Sequence, residues 1–530
     1  MILTVSDVTT SLSATEGEAV SLARKSAGLP FDSVGRISKR AVDARRGQVR
    51  LVWSVAFDLP EGMPHRAGNS IRERIPQQVS YPIGDRPLMH RPVVVGFGPA
   101  GMICALTLAE RGYRPLVLER GGSLEDRDRS VARFNGGGPL DPDCNVQFGE
   151  GGAGTYSDGK LNTGVNNPLV EEVLRIFARH GAGEEILTDA KPHVGTDRLK
   201  GVVASIRNRI LEMGGEIRYR TKVTGFDVHD GVLRAVRCDG DEIPADLCVL
   251  CTGHSARDLF ENLFISGIPM ECKPFSMGFR IEHLQSNIDR ALYGKYAGHP
   301  ALGPADYKVW DRSGKRAVYS FCMCPGGTVV AAASAPGQVV TNGMSDSARS
   351  GRNANAALAV EVLPSDFDDA HPLSGIRLQQ KFEGEAYRLG GENDRAPAML
   401  LGDFLSDRPS SDCGTVSPTF PRGVTWTNIS GLLLPGGAED IRNAMAGFER
   451  RIHGFSDPDA VLTAPETRTS SPVRILRGED LYSPACRGLI PCGEGAGYAG
   501  GITSAGADGL RAALRILGEF APMEAVSHDE

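Results

Sequence analysis

The sequence predicts an α/β fold. We expect a Rossmann-like dinucleotide-binding domain, three-layered about a parallel central sheet, interrupted by a mixed α+β substrate or cap domain and preceded by a small N-terminal α+β domain. Three features of the 530 residues carry this expectation. A glycine-rich loop at residues 96–101 is answered by an acid, Glu119, at the end of the next strand. A second apolar strand, 245–251, ends in Thr252-Gly253. A glycine-rich segment at 493–501 brings the chain back to the same sheet near its other end. The expected boundaries are 1–88 for the small domain, 89–264 and 481–525 for the two parts of the dinucleotide-binding domain, and 265–480 for the cap.

In the first 88 residues, Glu18 to Ala27 suits a short helix. Val49, Leu51, Trp53, Val55, Phe57 and Leu59 alternate with smaller or more polar residues in a strand rhythm. Lys39, Arg40, Arg45 and Arg46 precede that strand. They read either as a solvated basic turn or as a surface for a protein or RNA partner. Pro82, Pro87 and Pro92 mark a linker into the next domain.

Valines 93 to 95 form a buried strand. Gly96, Gly98, Pro99, Ala100 and Gly101 then allow a tight turn and close backbone approach to a pyrophosphate, and Met102 to Arg111 follow as the helix whose amide end faces its charge. Leu116 to Leu118 deliver Glu119 to where a carboxylate accepts hydrogen bonds from a ribose. Arg120 and Arg127 lie in the charged stretch beyond it and join the expected cofactor set. The run from Asn145 to Lys160 holds four glycines in six residues, and Gly151, Gly152, Gly154, Thr155 and Lys160 are expected to wrap a cofactor with backbone amides. The alternative is a surface loop. A helix over 199–213, a strand over 216–219 and an antiparallel excursion beginning at Val223 lead to the strand ending at Thr252 and Gly253, which sets His254 and Arg257 at a domain junction. Cys248 and Cys251, three apart on that strand, point to opposite faces as small core residues.

At the closing segment, Gly493 and Glu494 suit the ribityl or pyrophosphate side of a dinucleotide. Gly500, Gly501 and Ile502 lead into a helix through 510–517 whose start stabilises an anionic ring edge. A nicotinamide domain needs no such return, so FAD is favoured over NAD as the bound dinucleotide. Within 265–480, Cys322 and Cys324 would share a face of an extended strand, either as a redox pair or as small lining residues. Arg280 and His283 flank Glu282 and suit an anionic substrate or an interdomain ion pair. Polar residues also gather at 342–353 and 466–474.

Composition narrows the partners. A net charge of -7 gives no broad attraction to nucleic acid, and no apolar run is long enough to cross a bilayer. The opening residues lack the form of a secretory signal, so a cytoplasmic protein without membrane insertion is expected. Eleven cysteines, scattered, provide neither a disulfide scaffold nor a zinc site.

Seven strings in order resemble a family of bacterial FAD-dependent dehydrogenases of unassigned substrate, relatives of the glutathione-reductase-like flavoproteins. They are GFGPAG at 96–101, NVQFGEGGAGTYSDGKL at 145–161, TGHSARD at 252–258, KPFSMGFRIEH at 273–283, YSFCMCPGG at 319–327, ETRTSSPVRI at 466–475 and GEGAGYAGGITSAGADG at 493–509. The resemblance implies an FAD-binding domain and flavin redox chemistry on an unidentified small molecule. His254, Lys160 and Arg280 are then the candidates for charge or proton transfer near the ring, with Cys322 and Cys324 as the further candidates of the catalytic set. No second complete GxGxxG unit is present for NADPH or NADH, which would bind only transiently. A flavin reductase, a monooxygenase and a non-catalytic redox sensor remain the alternatives.

Overall fold

The computed structural model describes residues 1–75, 77–164 and 167–523; residues 524 and 525 of the expected closing segment and the Arg46 side chain lie outside what is described. At the N-terminus, four strands in the order Gly35–Asp43, Arg50–Asp58, Ile2–Thr10, Ile71–Arg74 form one antiparallel sheet. The helix Glu16–Ala27 lies against it, burying Ala19, Ala23 and Ala27 at four-residue spacing. It begins two residues earlier than periodicity suggests because Thr15 and Glu18 form a capping box, and it ends at Gly28 with φ 66°.

The expected basic turn is not one unit. Lys39 and Arg40 lie in an edge strand. The Arg40 amide donates to the Thr188 carbonyl at 2.7 Å, and its guanidinium donates to the Ala301 carbonyl at 3.2 Å. Arg45 is held by Asp43 at 2.7 and 2.9 Å. Arg40 and Arg45 are thus engaged by partners within the chain. The proline-marked linker is also fastened, since the Gly84 amide donates to the Leu517 carbonyl at 2.6 Å.

The parallel sheet has five strands in the order Leu489–Pro491, Cys248–Leu250, Val93–Val95, Leu116–Leu118, Glu216–Arg218. The middle strands are short, fully buried apolar triplets, as strands covered on both faces must be. Cys248 and Cys251 face opposite cores. The helix Pro99–Glu110 starts three residues before the expected Met102 because Pro99 presets the first helical φ. It is buried all round from Ala100 to Ala109, held between the sheet and the last helix, Ile502–Glu519. That last helix begins eight residues earlier than its apolar pattern suggests, so that Gly506, Asp508 and Gly509 are helical. A Cβ on Gly509 would collide with the Ala100 carbonyl, and one on Gly101 with the Gly96 carbonyl oxygen. Close helix crossing and a tight loop base, not local propensity, therefore select glycine at both positions.

Residues 275–466 build a seven-stranded sheet in the order Val309–Asp311, Val318–Cys324, Asn353–Val362, Phe275–Leu284, Val461–Glu466, Ala396–Leu400, Val424–Trp426. Along Phe275–Leu284, the residues Phe275, Met277, Phe279 and Ile281 enter the largest apolar core, while Arg280 and Glu282 fall on the other face. The chain enters and leaves this region side by side, with Met270–Cys272 paired antiparallel to Val473–Ile475. Among the described residues no helix is long and apolar enough to cross a membrane.

The helix crossing yields a test. Replacing Gly509 with Ala is expected to lower unfolding stability by about 1–3 kcal/mol through overpacking against Ala100, measured by urea denaturation.

Candidate functional site

Four adjacent strands of the parallel sheet end at one cavity of about 600 Å³, lined on one side by Gly96, Glu119, Thr252 and Gly493 and on the other by residues of the seven-stranded sheet. The carboxyl ends of parallel strands are where open α/β sheets bind ligands. Two helices begin here, Pro99–Glu110 from Gly98 and Ile502–Glu519 from Gly501, and neither has a side-chain cap. Their first amides are unclaimed donors beside the cavity.

Glu119 is buried and organises the dinucleotide end. Its Oε2 accepts the Phe97 amide at 2.8 Å, and its Oε1 accepts the amides of Gly121 at 2.8 Å and Gly149 at 2.9 Å. One carboxylate thus joins the first glycine loop, its own turn and the second glycine loop. Arg120 lines the cavity, but its guanidinium is held by Asp258 at 2.5 and 2.6 Å and lies over the Phe148 ring.

The second glycine loop divides the expected residues. Gly152, Gly154 and Lys160 line the cavity, as do Gly98, Pro99, Ala100 and Val223. Gly151 and Thr155 do not: a Cβ on Gly151, whose φ is 85°, would strike Thr155 Oγ1, so the two pack together beside Val203. Gly101 is turned into the helix base. Arg127 is fully buried and donates to the carbonyls of Asn145 at 2.8 Å, Val146 at 2.7 Å and Glu150 at 2.7 Å. It shapes the loop from behind, because a turn of this curvature leaves inward carbonyls that a guanidinium can gather.

At the closing segment, Gly253, Glu494, Gly500, Gly501 and Ile502 line the cavity. The Gly493 amide donates to Asp508 Oδ2 at 2.8 Å, and Asp508 is paired with Arg477 at 2.7 and 2.9 Å. Burial raises the Asp508 carboxyl, but Arg477 outweighs it and the net shift is downward. Sequence reading passed over Asp508 because it lies fifteen residues beyond its partner, on the buried face of a helix. His254 is buried with Nδ1 3.6 Å from Glu494 Oε1, and its Nε2 has no hydrogen-bond partner.

On the opposite wall, Lys160 donates to the Met323 carbonyl and lies 3.1 Å from Asp158. Asp158 also accepts from Arg349 at 2.5 and 3.1 Å and from Ser345. Burial raises its carboxyl, and Lys160 and Arg349 more than reverse that shift. Arg280 has no surface on the cavity, contrary to the sequence expectation. It forms a buried ion pair with Glu466 at 3.0 Å and donates to the Cys322 carbonyl at 2.9 Å and the Cys324 sulfur at 3.2 Å.

That arrangement also overturns the shared strand face of the two cysteines. The ladder slips between Phe321 and Cys324, and Cys322 takes φ 48°, leaving it open to the cavity while Cys324 is buried. Enclosure by surrounding protein pushes the Cys322 thiol up to about 11, against the pull of Lys160 and Arg280.

A buried cluster joins the two walls. Glu383, on the helix Ser374–Gly390, pairs with Arg257 at 2.7 Å and Arg468 at 2.9 Å. Arg257 also donates to Gln379, and Arg468 to Ser255 and Ser334. Burial raises the Glu383 carboxyl, yet the two guanidiniums hold it far below its ordinary value. Arg257 and Arg468 were visible in the sequence as polar residues, but Glu383 sits in an otherwise ordinary amphipathic helix.

Residues 274–469 match the family described as FAD-dependent protein, C-terminal domain-like. Over 492 residues the chain is 44% identical to an uncharacterized protein of Clostridium beijerinckii, covering 91% of this chain and 92% of that one. Among solved structures, a glycine oxidase from Geobacillus kaustophilus is 11% identical, with 83% of this chain and 97% of that one covered at a TM-score of 0.37. A geranylgeranyl bacteriochlorophyll reductase-like protein from Thermoplasma acidophilum is 12% identical, with 82% and 79% covered at a TM-score of 0.36.

Replacing Glu383 with Gln leaves two guanidiniums without their counter-charge and is expected to cost about 3–5 kcal/mol of unfolding free energy at neutral pH. Glu383 and Asp158 are both held below their ordinary values of 4.5 and 3.8. The stability they contribute is therefore complete above those values and is lost progressively as pH falls toward the depressed ones. Acid titration followed by near-UV circular dichroism should show a shallower pH dependence in the Glu383→Gln variant.

Proposed function

Because the chain belongs to one family with the Clostridium beijerinckii protein and carries the FAD-dependent, C-terminal domain-like region, we propose that it is an FAD-dependent oxidoreductase of the dehydrogenase type, acting on a small molecule. The observation that carries this reading is the convergence of two uncapped helix starts and the buried Glu119 on one cavity. The residues present fit the cofactor. Gly253 and Gly500 line that cavity, and a Cβ on either would meet nothing within 4 Å, so both leave room that a side chain would take. The volume falls in the roughly 300–1,000 Å³ range of small-molecule and cofactor sites.

In this reading Glu119 holds the adenosine ribose, the amides beyond Gly98 take the pyrophosphate, Glu494 takes the ribityl side and the amides beyond Gly501 face the ring edge. FAD bound there supplies a two-electron acceptor at its N5. The chain's own contribution is to bind, orient and enclose. Arg127 and Glu119 fix the two glycine loops, and the Glu383 cluster closes the sheets on each other. His254, with one ring nitrogen near Glu494 and the other unpartnered, is suited to hold a proton at Nε2. Lys160, Cys322 and Asn342 present polar atoms from the opposite wall.

Glu119→Gln should weaken FAD binding about tenfold or more, because charge-assisted bonds to three amides become neutral ones, as read by flavin fluorescence on dilution. The catalytic reading is tested by anaerobic stopped-flow mixing of the flavin-loaded protein with NADPH and NADH. A dehydrogenase reduced by its own substrate is expected to show no saturable bleaching near roughly 450 nm with either nucleotide while dithionite still bleaches it. Fast, saturable bleaching would instead make the protein a pyridine-nucleotide-dependent reductase or monooxygenase.

A further inference from the structure

The charges around the cavity do not balance. Arg257 and Arg468 share the single carboxylate Glu383, and Lys160 and Arg349 share the single carboxylate Asp158. The neighbouring Arg280–Glu466 and Lys191–Asp306 pairs are one to one. Among the described residues neither shared cluster has a second carboxylate within ion-pair distance. Each therefore keeps one positive charge in excess, and Lys160 and Arg468, one from each cluster, line the cavity. Arg257 and Arg468 are buried, where a cation without a counter-ion is costly unless a ligand supplies one; Lys160 and Arg349 are partly exposed and carry a smaller cost.

The donors not already used point the same way. An ammonium has three N–H bonds; Lys160 donates one to the Met323 carbonyl and is ion-paired with Asp158 at 3.1 Å, so its donors are not exhausted. The Asn342 side-chain oxygen accepts the Gly343 amide at 2.8 Å, while its NH₂ has no acceptor among the described residues. Both side chains line the cavity, and Lys308, which forms no ion pair there, lines it too. The Arg468 N–H groups are engaged by Glu383, Ser255, Ser334 and Gln338, so Arg468 contributes its field, not a contact.

We propose that the Lys160 wall binds the carboxylate of an anionic substrate, with Lys160 and Asn342 as its direct donors and the Glu383 cluster supplying the surrounding positive field. The assignment rests on the oxidoreductase reading above and gives its substrate a chemical class. The Asp158 anchor explains why Lys160 is oriented without being neutralised. Arg349 takes both carboxylate oxygens from one side, so Lys160 shares its counter-charge.

The test is isothermal titration calorimetry of the purified full-length protein at neutral pH and low salt, with acetate, succinate and benzoate against acetamide, succinamide and benzamide. At least one acid is expected to bind about tenfold or more tightly than its own amide. Lys160→Gln should remove that preference, Lys160→Arg should restore part of it, and Asn342→Asp should abolish acid binding while sparing the amide. Thermal unfolding of each variant establishes that it is folded. Acids binding no better than their amides, or an acid preference untouched by Lys160→Gln and Asn342→Asp, would overturn the proposal. Visible absorbance of the same samples separates the two readings. A protein that takes up no FAD but still prefers acids loses the flavin assignment and keeps the anion site. A flavin-loaded protein with no preference loses only the anion site.

Discussion

The arrangement depends first on one buried carboxylate. Glu119 collects amides from three segments that are far apart in sequence, the loop after Val95, the turn after Leu118 and the loop that begins at Asn145. Each of those amides would otherwise be an unsatisfied donor in a tight turn, and the carboxylate would be an uncompensated charge. Satisfying all of them at once fixes the distance between the two glycine loops and so sets the width of the cavity end. Arg127 does the complementary work from the outer side, gathering carbonyls where Glu119 gathers amides.

The opposite wall is organised by shared counter-charges instead of amides. Glu383 lies on a helix that packs on the seven-stranded sheet, whereas Arg257 opens a helix next to the parallel sheet. Their pairing, with Arg468 as the third member, ties the two sheets across the cavity through a fully buried contact. The same cluster that provides cohesion leaves positive potential at the wall. Structural locking and ligand preference are thus two consequences of one charge imbalance, and neither requires residues that look catalytic in isolation.

Much of the dinucleotide end was legible because its chemistry is local: a glycine loop, a buried valine triplet and an acid at the next strand's end follow one another within about thirty residues. Helix starts were read late at Pro99 and Ile502, since glycine and proline there weaken the periodic signal while tertiary packing and N-terminal geometry favour the helix. Arg280 and Arg127 were read as cavity residues because a charged side chain suggests a ligand. Their actual partners, Glu466 and three loop carbonyls, come together only through strand pairing and loop closure. Glu383 and Asp508 gave no signal at all, each being one acid on an amphipathic helix whose partner is supplied from elsewhere in the chain. The slip that separates Cys322 from Cys324 could not be anticipated either, because it depends on register against Asn353–Val362.

The proposed function stands or falls with the cavity as the FAD site and Glu119 at its adenosine end. A crystal structure of the protein with FAD tests it most directly. The adenosine ribose is expected against Glu119, the pyrophosphate at the helix start beyond Gly98 and the ring between the Ile502 helix start and the Lys160 wall. A dinucleotide bound elsewhere, or bound in the cavity with its adenosine at the Lys160 wall, would contradict it.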